Sequence, residues 1–215
     1  MNTLLVQLIA RTLLAASPSA AVWTSPDGSL SVTEPDPTKF SEVEAPPSPL
    51  IASWVSQDAA TQLSVMQLKV PPQVQLVQSS VEEGMAEEIG SPVKRLPTVR
   101  VSGREVWKMV AAVPPVEVTQ AVVRDGDTLF KVMAATTEVD RDSASISAFI
   151  DSIALSPKKS PRKEVLNATV TLPEGEAPAG IDSHNLSKML GGAGVLFLIV
   201  ALAYKTLQRK NKSGR

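Results

Sequence analysis

Between Lys188 and Lys205 the chain reads MLGGAGVLFLIVALAY, with neither a charge nor a proline. This segment restricts the fold more than any other. As a helix rising about 1.5 Å per residue it covers roughly 24 Å, somewhat less than the roughly 30 Å hydrocarbon core of a bilayer. Lys188 and Lys205 can make up the difference by snorkelling, their methylenes in lipid and their ammonium groups among the headgroups. Tyr204 stands where an interfacial aromatic anchors a span. A buried core helix is the alternative, but only a polar tail follows from which such a core would be built. Gly191, Gly192 and Gly194 permit close helix approach, although their spacing is not the GxxxG pattern of packed membrane helices. The expected membrane anchor is therefore 188–205, with membrane lipid as its partner.

Charge on either side orients the anchor. Arg209, Lys210, Lys212 and Arg215 follow it without an acidic residue, whereas Glu174, Glu176 and Asp182 precede it. The Lys/Arg excess assigns the 206–215 tail to the cytoplasm and the rest of the chain to the extracytoplasmic side, most simply a bacterial periplasm. The N-terminus agrees. Apolar residues dominate from Leu4 to Ala16, small residues follow at Ser19, Ala20 and Ala21, and no acid occurs before Asp27. That outline is a secretory signal over 1–21. Arg11 interrupts the apolar run and no basic residue precedes it, so an organelle-targeting helix competes. A glycine pair, an apolar stretch and a basic tail also resemble a C-terminal sorting signal that is cut during surface attachment, although this tail is longer.

Within 215 residues, 43% are hydrophobic, enough for one globular core beside these extras. The net charge of −1 excludes a globally basic nucleic-acid binder. With no cysteine there is no disulfide, no thiolate nucleophile and no cysteine-held metal. Residues 22–155 read as an α+β domain. Ser25-Pro-Asp-Gly28 makes a turn into a strand at Ser29–Val32. Residues 34–49, rich in proline and acids, read as a loop or irregular edge. Strands are expected at Ile51–Val55 and Leu63–Val70, then at Thr98–Val101, Glu105–Val113, Val116–Val123 and Thr128–Ala135. Asp125-Gly126 signals a type I′ hairpin. Ser79 with Glu82 and Ser80 with Glu83 form S-x-x-E capping boxes for a helix that buries Val81, Met85 and Ile89 and stops at Gly90. Gly84 inside costs about 1 kcal/mol against alanine, so packing must hold this helix. A second helix is expected from Asp142 or Ser143, with Ile146, Phe149, Ile150 and Ile153 as its apolar stripe. Residues 156–187 read as a proline-rich, charged linker, in which Val165–Leu172 can form a short strand.

Three landmarks accompany this order: Trp23-Thr-Ser-Pro-Asp-Gly-Ser-Leu-Ser-Val32, Gly103-Arg-Glu-Val-Trp107, and Gly126-Asp-Thr-Leu-Phe130 leading to Phe149-Ile-Asp-Ser152. With them the chain resembles the PsbP-like family, which includes the bacterial DcrB-type periplasmic proteins. The resemblance implies an antiparallel sheet flanked by helices. It also implies an accessory or binding role without a shared catalytic set, so no site residue is carried over. Some relatives have a lipid anchor, which a chain without cysteine cannot carry.

Candidate chemistry is sparse. The single histidine, His184, lies in the linker, which disfavours a catalytic triad or metal site. Asp125 and Asp127 suit a hairpin better than a calcium loop, which needs further acids at fixed spacing. Glu82, Glu83, Glu87 and Glu88 read as a solvated helix face. The linker cations Lys158, Lys159, Arg162 and Lys163 lack interleaved aromatics, so nucleic acid is not an expected partner. Trp54 and Trp107 read as core. Asn167-Ala-Thr169 and Asn185-Leu-Ser187 match the glycosylation pattern, which has meaning only in a eukaryotic host. The expected function is a non-catalytic, membrane-anchored binding or accessory domain with an envelope protein as partner and no cofactor or metal. A hydrolase or transferase using dispersed carboxylates is the rival. Converging acids with perturbed pKa values would favour the rival, and an apolar groove would favour binding.

Overall fold

The computed structural model describes residues 21–71 and 74–156. The expected leader, the linker beyond Ser156, the 188–205 anchor and the 206–215 tail lie outside these residues. Eleven strands and two helices follow in the order β1 (Val22–Thr24), β2 (Leu30–Thr33), β3 (Phe40–Glu42), β4 (Leu50–Ser56), β5 (Thr61–Lys69), α1 (Gln78–Ile89), β6 (Val93–Arg95), β7 (Val99–Val101), β8 (Arg104–Val113), β9 (Val116–Asp125), β10 (Thr128–Thr136), α2 (Val139–Asp151) and β11 (Ala154–Leu155). The main sheet runs β3-β4-β5-β10-β9-β8-β6, with β7 also paired to β8. A small sheet, β1-β2-β11, lies beside it. All the pairings are antiparallel.

Strand β10 sits at the centre, and every one of its residues is buried. Its side chains alternate between two cores, because successive residues of a strand point to opposite faces. Phe130, Val132 and Ala134 join Trp54, Leu63, Val123, Phe149 and Ile150 under α2 and the small sheet. Leu129, Met133 and Ala135 join Met66, Met85, Val81 and Met109 under α1. A strand buried on both faces reads as a continuous apolar run, as TLFKVMAAT does apart from one lysine.

Local signals explain most turns. Gly28 takes φ 70° and donates its amide to Ser25 O at 2.8 Å. The Asp27 carboxylate accepts from Ser25 Oγ at 2.7 Å and Ser29 Oγ at 2.6 Å, which locks the entry into β2. Gly90 stops α1 at φ 72°, its amide bonded to Ala86 O. Gly84 is buried with Val81 and Met85 on the packed face of α1.

Four local expectations need correction. The S-x-x-E boxes do not form. α1 begins at Gln78 behind an extended Val77 with no side-chain cap, because buried Val74 and part-buried Leu76 already anchor the chain to the core upstream. α2 begins at Val139, not near Asp142 or Ser143. The Glu138 amide donates to Thr136 Oγ1 at 2.9 Å, so the helix turns directly off the end of β10. Ile153 lies beyond that helix, though still buried. The β9–β10 loop is Gly126-Asp127, with positive φ at Gly126 alone. That is the sign pattern of a type II′ turn, not I′. Positive φ at both loop positions occurs instead at Ser102-Gly103 between β7 and β8. The remaining tight connection, Pro114-Pro115 between β8 and β9, contains a cis peptide bond.

Candidate binding groove

α2 packs mainly on β2, β5, β9 and β10. Towards β8 it leaves a groove of about 290 Å³. Leu96, Pro97, Val110, Val139, Ile146 and Ile150 give it an apolar lining. Glu117, Thr119, Ser143 and Ser147 supply polar atoms around them, and Lys108 Nζ bonds Asp151 Oδ1 at 2.9 Å at one end. Val139, at the first turn of α2, is 37% exposed at the end of the groove. Apolar surface rimmed by polar groups is the chemistry of a protein or peptide contact.

The opposite flank of α2 is polar. There a cleft of about 360 Å³ is lined by Thr38, Lys39, Gln57, Asp58, Arg141 and Asp142. The Arg141 guanidinium contacts both Asp58 and Asp142, the latter at 2.9 Å. Thr61 donates its hydroxyl to Asp142, and Thr61 and Thr136 share a hydrogen bond of 2.7 Å. Asp142 is held below the usual carboxylate range, chiefly by its bond from Arg141. Burial works against ionisation of Asp58, but bonds from Ser56, the Ala60 amide and Arg141 outweigh it. These paired carboxylates are therefore held ionised, the reverse of what a general acid needs. Their arrangement pins the β4–β5 turn to the start of α2. Replacing Arg141 with Met leaves two ionised carboxylates facing each other without their cation. Because Arg141 is 47% exposed, the expected loss is only about 1 kcal/mol in urea unfolding, and a loss several times larger would show that the pin organises the domain.

Lys131 is the most unusual charge. It is fully buried on β10, in register with Met66 and Val122 and facing α1. Burial pushes its ammonium pKa down to about 7, and the charge of Glu88 on α1 acts in the opposite direction. Two residues further along β10, on the same face, Ser64 and Gln120 flank Met133 in register. Both are fully buried, and Ser64 Oγ and Gln120 Oε1 have no hydrogen-bond partner among the described residues.

The structure brings few of the residues singled out in the sequence together. Lys188, Gly191, Gly192, Gly194, Tyr204 and Lys205 lie outside the described residues, as do His184 and the linker cations. Among the described residues no helix is long and apolar enough to cross a membrane. Asp125 pairs with Arg104 at 2.7 Å and Asp127 with Lys69 at 3.3 Å, so the hairpin acids are directed to separate cations. The acidic face of α1 is divided. Glu82 takes a two-pronged bond from Arg95 at 2.7 and 2.8 Å, Glu88 is half-buried with its charge acting on Lys131, and Glu83 and Glu87 stay exposed. Trp54 is core, whereas Trp107 is only part-buried against the α1-side cluster. The groove and Lys131 were not singled out in the sequence. A lone lysine amid the apolar run of β10 was a readable signal, while the groove joins positions far apart in the chain.

The fold class is thus α+β: antiparallel sheets with a helix packed on each face of the larger one. No family model matches the chain, and no curated protein matches it. Among solved structures it is similar to the cyanobacterial PsbP (CyanoP) from Synechocystis sp. PCC 6803, at 9% identity and a TM-score of 0.48, over 66% of this chain and 96% of that one. It is also similar to a protein from Bacteroides thetaiotaomicron VPI-5482, at 10% identity and a TM-score of 0.43, over 65% of this chain and 49% of that one. The chain spans about half the length of the latter.

Proposed function

We propose that this chain is a non-catalytic binding or accessory domain, anchored through 188–205 and displayed on the extracytoplasmic side, that receives a protein partner of the envelope in the α2–β8 groove. The groove itself carries the reading. Its apolar lining is backed by a rigid sheet and helix, and its polar rim can satisfy the partner's edges. The paired Asp58 and Asp142 are held ionised, which argues against a general acid in the polar cleft. A membrane anchor would confine the groove to a thin layer and raise its effective concentration for other membrane proteins.

The test compares proteins co-purifying from detergent-solubilised membranes with the parent chain, a Val110→Asp/Val139→Asp variant and a control changed at exposed Glu87. Charging the groove should reduce the specific partner about tenfold or more, the range expected when a buried apolar contact is lost, while Glu87→Lys retains it. An identical set of co-purifying proteins in all three would overturn the groove as the partner site. Release of the intact chain by carbonate washing would overturn the anchor.

A further inference from the structure

The β8–β9 hairpin carries an apolar tip that the fold does not use. Strand β6 stops opposite Ala111 and β10 stops opposite Glu117, so residues 112–116 project past both neighbouring strands. Ala112, Val113, Pro114 and Pro115 are all exposed, Val113 at 38%, before the chain turns back into the core at Val116. Four successive exposed apolar residues are unusual on a surface that meets only water, and they mark a contact. The two prolines leave the loop without an amide donor, so the tip offers apolar surface rather than main-chain donors. The described chain leaves the fold at the other end of β8, where Ser102 Oγ donates to Leu155 O at 2.9 Å and Ser156 Oγ donates to Gly28 O at 2.6 Å. The length of β8 sets that exit about 30 Å from the tip.

Charge describes what this tip can meet. Glu117, on β9, is in register with Ala112, and Glu138 and Asp140 stand at the start of α2, just beyond the Thr136 that pairs with Glu117. None of the three carboxylates is bonded to a cation among the described residues. Of the cations at this end, Arg141 is committed to Asp58 and Asp142, Lys39 lies on the far flank of α2, and Lys94 stands two strands away from Glu117 on β6. The acids repel the anionic headgroups of a bilayer, and a second copy of the chain would bring the same acids together. A basic surface is attracted instead. We propose that the β8–β9 tip is a docking wedge for a protein partner, seated in an apolar pocket that lysine or arginine residues surround. The acids steer the partner and the apolar tip holds it. This contact goes beyond the groove reading and does not depend on it, although Glu117 borders both.

The test places the photoreactive amino acid p-benzoylphenylalanine in the full chain, in the cells that make it, at Val113 or, as a control, at Asp127 in the hairpin of the opposite end. On illumination a protein adduct should form at Val113 at least about tenfold above Asp127, because a docked side chain meets its partner at a far higher local concentration. Added salt screens exposed charges and should lower the yield about fourfold, as should Glu138→Gln/Asp140→Asn, since each exposed pair is worth about a factor of two. With the photoreactive residue moved to Ala112, Val113→Asp should lower the adduct about tenfold. The partner segment linked should carry lysine or arginine beside apolar residues. An adduct with lipid or with another copy of the chain, a yield at Val113 no higher than at Asp127, a yield indifferent to salt and to the neutralised acids, or a linked segment without a cation would each overturn the proposal. The salt step needs no further substitution, so a misfolded variant cannot decide the result. Co-purification with the groove charged reads the groove and the adduct reads the tip, so either reading can fail alone.

Discussion

Raising the pH from about 7 to about 10 is expected to stabilise this fold, against the common pattern of a plateau near neutrality, because of Lys131. Its ordinary value is 10.5, and burial lowers it to about 7 in the folded state. Between those values the unfolded chain holds a proton that the folded chain lacks. Stability must then rise with pH, at a slope approaching about 1.4 kcal/mol per pH unit. Below about 7 both states are protonated, the folded state bears the full cost of the buried ammonium, and this contribution becomes flat. The charged group that acts on this position is Glu88 on α1, while Arg124, on the same face of β9, is directed to the Gly126, Val74 and Pro71 carbonyls. Lys131→Met alone would leave the half-buried Glu88 charge in place, so the informative variant is Lys131→Met/Glu88→Gln. Replacing buried charged groups with uncharged ones of similar volume is commonly neutral or stabilising. Urea unfolding at pH 6, 7, 8, 9 and 10 should show the double variant at least as stable as the parent at the acid end. Its slope above neutrality should be gone. A parent curve that is flat or falling from about 7 to about 10 would mean that Lys131 stays charged in the folded state.

The second large effect is expected at Trp54. Its ring is 4% exposed. It meets Trp23 of the small sheet edge-on at 6.1 Å and Phe149 of α2 at 5.6 Å. One side chain thus joins the main sheet, the small sheet and the helix that walls the groove. Trp54→Ala removes the transfer energy of the ring and leaves a cavity that three elements must collapse into, at a cost of about 3–5 kcal/mol. Far-UV circular dichroism in urea should show the midpoint falling with the slope unchanged, the mark of lost stability rather than a changed unfolded state. Trp107→Ala, part-buried on the opposite face, should cost clearly less. Equal losses would show that the Trp23–Trp54–Phe149 cluster is not a special joint.

Turn chemistry and periodicity act over a few residues, and they were readable wherever the local signal had no competitor. Gly90 ends α1 and Ser25-Pro-Asp-Gly28 opens β2 because both need a left-handed glycine, and in the second Asp27 is at hand as an acceptor. Local signals failed where a distant contact outbid them. The two capping boxes gave way to the packing of Val74 and Leu76, and the start of α2 gave way to Thr136. The type I′ geometry expected at Asp125-Gly126 is found instead at Ser102-Gly103, where two left-handed positions coincide. The face of α1 expected to be solvated is so at Glu83 and Glu87, whereas Glu82 is taken by Arg95 of β6 and the charge of Glu88 acts on Lys131 of β10.

By itself, then, the amino-acid order settled the α+β class, the main strands, the buried stripe of each helix and the residue types available for chemistry, since these follow from spacing along a few turns or strand steps. Strand order, the burial of Lys131 opposite Glu88, the Arg141 pin and the groove beside α2 belong to tertiary structure alone. Each depends on which distant segments share a face of the sheet, and neighbouring residues carry no record of that choice.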